Sequence, residues 1–184
     1  MLSEKEKKLV LKTCKETILS FLENRSPKLE IKVPAILLEK RGVFVTLSIK
    51  GKLRGCIGNL EPTASVWEGI QEYSLAAAFN DPRFSPLSKK EFAETKIEVS
   101  ILSKPVPLEF DSPKELLKKI EQNVHGVILQ NGFAKATFLP SVWEEISDKQ
   151  EFLSHLCMKA GLDPSAWQDS QTLIWVYSAE KVTE

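Results

Sequence analysis

The segment Leu53-Arg54-Gly55-Cys56-Ile57-Gly58 gathers a thiol, a guanidinium and two glycines into six consecutive positions. On a β-strand, residues two apart point to the same side, so Arg54 lies within reach of the Cys56 sulfur and favours the thiolate over the thiol. A thiolate in that setting is a nucleophile or a ligand-capturing group. Gly55 and Gly58 weaken a strand unless a bulge, a ligand or another backbone needs the room. The same residues also read as a buried strand cysteine, a structural arginine and two packing glycines. Burial statistics for cysteine favour that plainer account when spacing alone is weighed.

A second group follows a run of three alanines: in Asn80 to Pro86, two prolines make a rigid connection able to present side chains. Asp81 is placed to orient a base or to pair with Arg83, and Arg83 to bind a carboxylate or phosphate in fork geometry. An Asx turn and a fold-holding ion pair explain the two residues equally well. His125, before Gly126 at an expected helix-to-strand junction, has an unperturbed pKa of ~6.5 that suits proton transfer. A histidine serving a helix C-terminal dipole is its plainer account. The candidate catalytic residues are therefore Cys56, Arg54, His125 and Asp81, and the candidate binding residues are Gly55, Gly58, Asn59 and Arg83.

Other reactive side chains read as structural. Cys14 and Cys157 fall on the apolar faces of expected helices. His155 lies on a different helical face from Cys157, so the pair offers no metal-ligand spacing and no metal site is expected. Trp67, Trp143, Trp167 and Trp175 read as core rather than as a base-stacking platform.

The hairpin that presents Cys56 closes in one of two ways. A two-residue turn at Lys50-Gly51 pairs Leu47 with Arg54 and Val45 with Cys56, which buries a guanidinium among aliphatics. A three-residue loop, Ile49-Lys50-Gly51 with Gly51 left-handed and a bulge, pairs Leu47 with Leu53 and Thr46 with Arg54. That second register is the expected one. It collects Val43, Val45, Leu47, Leu53 and Ile57 on one apolar face and leaves Arg54 and Cys56 with Phe44, Thr46 and Ser48 on the other.

Capping-box pairs at Ser3/Glu6, Ser65/Glu68, Ser112/Glu115, Ser141/Glu144 and Ser147/Gln150 predict five helix starts. Pro164 after Asp163 predicts a short sixth helix near Ala166 and Trp167. The first helix is expected to run to about Glu23 with Val10, Cys14, Ile18 and Phe21 as its apolar stripe, and Gly161 to stop the helix Phe152 to Ala160. Strands are expected at Val43 to Ile49, Leu53 to Leu60, Ile97 to Leu102, Val124 to Gln130, Phe133 to Leu139 and Thr172 to Ser178. Asn131-Gly132 is the strongest hairpin signal. Hairpins outnumber strand-helix-strand units, which predicts an α+β fold with antiparallel sheets and flanking helices.

A chain of 184 residues, 42% of them hydrophobic, buries a proper core as one domain or two small lobes. The stretch Lys104-Pro105-Val106-Pro107 is the expected lobe boundary. Twenty-five basic residues balance twenty-five acidic ones, so no global field draws the chain to nucleic acid or an anionic membrane. Three widely spaced cysteines form neither a disulfide framework nor a zinc pattern, which fits a reducing cytoplasm. A charged N-terminus leading into a helical pattern, with no apolar run of membrane length, predicts a soluble and unprocessed protein.

At its hexapeptide the chain resembles the AMMECR-one family, named for the Alport syndrome, midface hypoplasia and elliptocytosis chromosomal region, whose signature is LRGCIG. Further matching blocks follow in order: Phe44-Val45-Thr46-Leu47, Ala76 to Leu87, Ile97 to Ser103, His125 to Leu129, Phe138-Leu139-Pro140 and Lys159 to Leu162. The resemblance covers nearly the whole chain. It implies one domain over 1–184, with a larger lobe from about 1–105 plus 170–184, a smaller lobe from about 106–169, and a groove where they meet. It also implies similarity to the A component of a system named AmmeMemoRadiSam, with a Memo-like protein and a radical SAM protein as partners. This chain lacks the clustered cysteines of a radical SAM iron-sulfur site, so such chemistry would belong to a partner. One departure is Ala136 to Ser141, where many members carry a Leu-rich run followed by Pro-Gln.

Two functions fit these residues. In the first, the protein is an enzyme or its substrate-binding component, with Cys56 as nucleophile or ligand and Asp81, Arg83 and His125 handling charge and protons. In the second, it is a binding or accessory module that docks to a partner enzyme or a peptide without turnover. No nucleotide loop, zinc motif or paired-carboxylate signature fixes a reaction or a cofactor.

Overall fold

Serine side chains start most of the helices. In the computed structural model, which describes residues 1–29, 32–61 and 63–184, α1 (Glu4–Leu22) and α2 (Val66–Phe79) begin at Ser3 and Ser65 with reciprocal capping boxes to Glu6 and Glu68. A further box of the same spacing, Ser88/Glu91, opens the one-turn helix α3 (Lys89–Phe92). Ser112 caps α4 (Pro113–Lys119), with Pro113 in its first turn. Two expected starts are corrected. Ser141 and Glu144 lie inside a 3-10 helix, Pro140–Glu144, that has no side-chain cap. The start of α5 (Lys149–Lys159) is capped by Asp148 rather than Ser147, because a carboxylate there accepts from both Gln150 and Glu151 amides and faces the positive helix end. Gly161, at φ +76°, ends α5 as expected, and the sixth helix is a 3-10 turn, Ala166–Gln168.

Among the described residues the eight strands are β1 (Val43–Ile49), β2 (Lys52–Asn59), β3 (Thr95–Leu102), β4 (Val106–Pro107), β5 (Gly126–Asn131), β6 (Ala134–Phe138), β7 (Leu173–Tyr177) and β8 (Ala179–Thr183). They form two four-stranded sheets, ordered β2-β1-β3-β8 and β4-β7-β5-β6, and the fold is α+β with antiparallel sheets. The chain divides into two compact units, residues 1–102 with 180–184 and residues 103–179. Residues 170–179 lie in the second unit rather than with the chain ends, because β7 pairs with β5, Val176 opposite Val127.

In the first unit, α1 buries Val10, Cys14 and Ile18, and α2 buries Val66, Ile70 and Ala77, in one cluster with Val43, Val45 and Leu47 of β1 and Ile97, Val99 and Ile101 of β3. Phe21 departs from its expected place: it is 58% exposed, and its ring lies tilted by 32° against Phe79 with centroids 4.4 Å apart. Contact between two helix ends, not the sheet core, takes it up. In the second unit Trp143 and Phe152 stack nearly parallel, 3.6 Å between centroids, within a cluster of Leu116, Val127, Leu129, Leu156, Cys157 and Ile174. The β5–β6 turn is Gly132-Phe133, one residue beyond the expected Asn131-Gly132, with Gly132 at φ +58° in the first central position.

The β1–β2 hairpin follows neither expected register. Lys50 and Gly51, at φ 52° and 77°, close a two-residue turn with Ile49 opposite Lys52 and Ser48 opposite Leu53. The register then shifts by a bulge at Arg54, so that Leu47 faces Gly55, Thr46 faces Cys56 and Val45 faces Ile57. The bulge meets the requirement that ruled out the simple two-residue turn: the extra residue is the arginine, which escapes the aliphatic face. Leu53 consequently leaves that face and is 45% exposed. Gly55 enters it, against α2, where a Cβ would stand 2.1 Å from the Ala77 carbonyl oxygen.

Candidate functional site

β2 is an edge strand, and an edge leaves main-chain donors and acceptors without a neighbour. At Cys56 the loop after α2 supplies both partners. The Cys56 N–H donates to Asp81 Oδ2 at 2.9 Å, and Arg83 Nη2 donates to the Cys56 carbonyl at 3.1 Å. Because the Cys56 amide is turned outward, Thr46 and Cys56 form a cross-strand pair without mutual main-chain bonds, the type that brings side chains closest. Thr46 Oγ1 donates to Cys56 Sγ at 3.2 Å. The register places Thr46 between Cys56 on β2 and Glu98 on β3, on the sheet face opposite the aliphatic core.

The loop itself is fixed by Asp81, whose side chain is 1% exposed. Its carboxylate accepts from the Arg83 amide (3.1 Å), Arg83 Nε (2.9 Å) and Arg83 Nη2 (2.7 Å), so the Asx turn and the ion pair are both present. These bonds, from Arg83 first and then from the Cys56 amide, hold the Asp81 carboxyl well below the usual carboxylate range despite its burial, and they raise the Arg83 pKa. Arg54 reaches in the same direction. Its Nε donates to Glu91 Oε1 at 2.9 Å and its Nη2 to the Ser85 carbonyl at 2.8 Å. The Arg54 bonds, with those from Ser88, lower Glu91 to about 2. Arg54 thus fastens the loop and α3 to β2, while the sulfur of Cys56 is met by Thr46.

The glycines and Asn59 have local duties. A Cβ on Gly58 would lie 2.4 Å from Cγ of Phe44, its cross-strand partner, so the ring lies over the glycine. Asn59 Oδ1 accepts from the Glu61 amide at 2.9 Å. His125 belongs to the second unit, residues 103–179. There its Nδ1 accepts from the Glu121 amide at 3.0 Å and its own amide returns to the Glu121 carbonyl at 2.9 Å. The ring closes a turn, which assigns the proton of the neutral imidazole to Nε2.

Cys56 lines neither of two clefts. One of about 520 Å³ runs between Pro107–Pro113 and Gln168–Trp175, and one of about 480 Å³ lies along α1 beside Phe92 and Glu184. Among the described residues no three His, Cys, Asp or Glu side chains gather at metal-binding distance, and no helix is long and apolar enough to cross a membrane. Sequence reasoning placed Thr46 on the Cys56 face without its contact to the sulfur, which required the register, and missed Glu91, which was findable from its capping spacing to Ser88.

The AMMECR1 family model matches residues 11–182. Protein MK0488 of Methanopyrus kandleri is 43% identical over 188 residues, covering 100% of this chain and 90% of its own. A protein of Methanosarcina mazei is 41% identical over 172 residues, covering 91% of this chain and 86% of its own. The crystal structure of the uncharacterized protein PH0010 from Pyrococcus horikoshii superposes with a TM-score of 0.84 at 32% identity, covering 98% of this chain and 92% of that one.

Proposed function

We propose, for a chain that belongs to the AMMECR1 family, that function runs through Cys56 as the reacting or ligand-capturing thiol of an enzyme or its substrate-binding component. The observation that supports this reading is the contrast among the three cysteines. Cys14 and Cys157 are fully buried, whereas Cys56 is partly exposed, clamped through its main chain by Asp81 and Arg83 and oriented at sulfur by Thr46. Burial pushes the Cys14 thiol up to about 12 and also raises that of Cys157, so neither competes as a nucleophile. Alkylation of the folded protein with iodoacetamide, mapped by mass spectrometry, tests this. Cys56 is expected to label first, and Thr46→Val to slow it by roughly fivefold, the worth of one hydrogen bond. A Cys56 that labels only after denaturation overturns the reading.

Docking without turnover is the second reading, and one observation favours it: Arg83 is 53% exposed yet pinned by a buried carboxylate, a rigid charged feature beside an edge strand. A Memo-like or radical SAM protein is the partner class under this reading. Cys56→Ser then retains co-purification of the partner and Arg54→Gln diminishes it; loss with Cys56→Ser alone sinks simple docking.

A further inference from the structure

Arg54 and Arg83 are held in the same manner. Arg54 gives Nε and Nη2 to Glu91 (2.9 and 3.4 Å) and Nη2 also to the Ser85 carbonyl (2.8 Å). Arg83 gives Nε and Nη2 to Asp81 (2.9 and 2.7 Å) and Nη2 also to the Cys56 carbonyl (3.1 Å). Both guanidinium carbons lie over the ring of Phe84, at 5.7 and 5.6 Å from its centroid. In each case Nη1 donates to no described residue, so two fixed guanidinium groups converge on one aromatic ring with an unused donor nitrogen apiece.

A structural arginine needs only the edge that binds its carboxylate. Here that edge is spent on Asp81 or Glu91, and the remaining nitrogen is held in place by the fold rather than left on a mobile stem, so little ordering entropy opposes its use. Asp81 and Glu91 balance the two positive charges, which rules out strong long-range attraction and leaves short-range donation to an acceptor that carries its own charge. Arg83 is the accessible member, at 53% side-chain exposure against 13% for Arg54, and it already touches the Cys56 main chain.

We propose that the Nη1 donors of Arg83 and Arg54, whose guanidinium carbons both lie within 6 Å of the Phe84 ring centre, form an oxyanion-recognition site that holds the carboxylate or phosphate group of a ligand beside Cys56. What the ligand is presented to rests on the Cys56 reading above; the recognition site itself does not. Affinity for a small ion is weak because each guanidinium is already paired, and a larger ligand adds contact with the Phe84 ring.

Two measurements on the full chain test this. In the first, inorganic phosphate and acetate are titrated at constant ionic strength while the Nε–H signals of Arg83 and Arg54 and the Phe84 amide are followed by NMR. Saturable shifts confined to these groups are expected, and the tighter of the two ions identifies the phosphate or the carboxylate source. Shifts that rise linearly or spread over surface lysines overturn the site. In the second, Cys56 is alkylated with iodoacetate and with iodoacetamide; in each, the thiolate forms a C–S bond and iodide leaves. The anionic reagent is expected to gain roughly fivefold over the neutral one, relative to a neutral model thiol, and phosphate to slow the anionic reagent selectively. Arg83→Gln abolishes the gain, but it also breaks the Asp81 pair, so phosphate competition in the unaltered protein carries the decision. Reaction with both reagents at the model ratio, without saturable shifts, defeats the oxyanion site and leaves the Cys56 reading standing. Reaction with neither defeats the Cys56 reading, and the titration alone then decides the site.

Discussion

The carboxylates that hold Arg54 and Arg83 beside Cys56 tie the stability of the fold to pH in the acid range. Glu91, lowered from its ordinary 4.5 to about 2 by Arg54 and Ser88, binds a proton more readily when the chain is unfolded than when it is folded. A depressed carboxylate contributes stability that is complete above the unfolded value and disappears as pH falls through the folded one. The stabilisation by Glu91 is therefore present near neutrality, declines between about 4.5 and about 2, and is gone below that. Asp81 acts with the same sign and extends the loss to lower pH. Glu91→Gln is expected to be less stable than the parent near pH 7 and to converge on it near pH 2 when urea unfolding is followed across the acid range. Parallel curves with a constant gap would show that the Arg54 pair contributes nothing through charge. Because Glu91 is 39% exposed, added salt should narrow the gap.

At the scale of elements, the hairpin and the helix behind it are built around missing side chains. Gly55 lets the α2 backbone lie directly on β2, and Gly58 lets the Phe44 ring cover its partner strand. The second sheet repeats the device, with the Tyr177 ring over its cross-strand partner Gly126. Gly55→Ala sets a methyl 2.1 Å from a carbonyl oxygen that cannot swing away, because it belongs to the helix main chain. A loss of about 3 kcal/mol or more in urea unfolding is expected, the upper range for overpacking. Gly51→Ala is the contrasting case: nothing stands within 4 Å of its Cβ, and only the left-handed φ of 77° opposes the change. It should cost about 1 kcal/mol. Equal losses would mean that backbone strain, not close approach, governs β2.

For the molecule as a whole, each unit carries its own core: one of aliphatic side chains from β1, β3, α1 and α2, the other centred on the Trp143–Phe152 stack. Phe152→Ala removes one ring of a fully buried pair. Hydrogen exchange of the β5 and β7 amides should report a destabilisation of about 3–5 kcal/mol in the second unit. Unchanged protection in those strands would show that the stack is dispensable.

The caps at Ser3, Ser65 and Ser112, six of the eight described strands and the burial of Cys14 and Cys157 were legible in the sequence, because local propensity and apolar spacing dictate them. Several features were decided only by tertiary structure. The two-residue strand β4 and the polar strand β8 have too little pattern of their own and exist through their partners. The Arg54 bulge could not be read from residue types, since a turn and a bulge at two positions yield nearly the same hydrophobic alternation. The pairing of Arg54 with Glu91, 37 residues away, and of the Cys56 amide with Asp81, 25 residues away, depends on where the loop after α2 returns to the edge strand. Sequence named the thiol and its arginines; the fold decided which carboxylates those arginines would meet and which of their nitrogens would be left over.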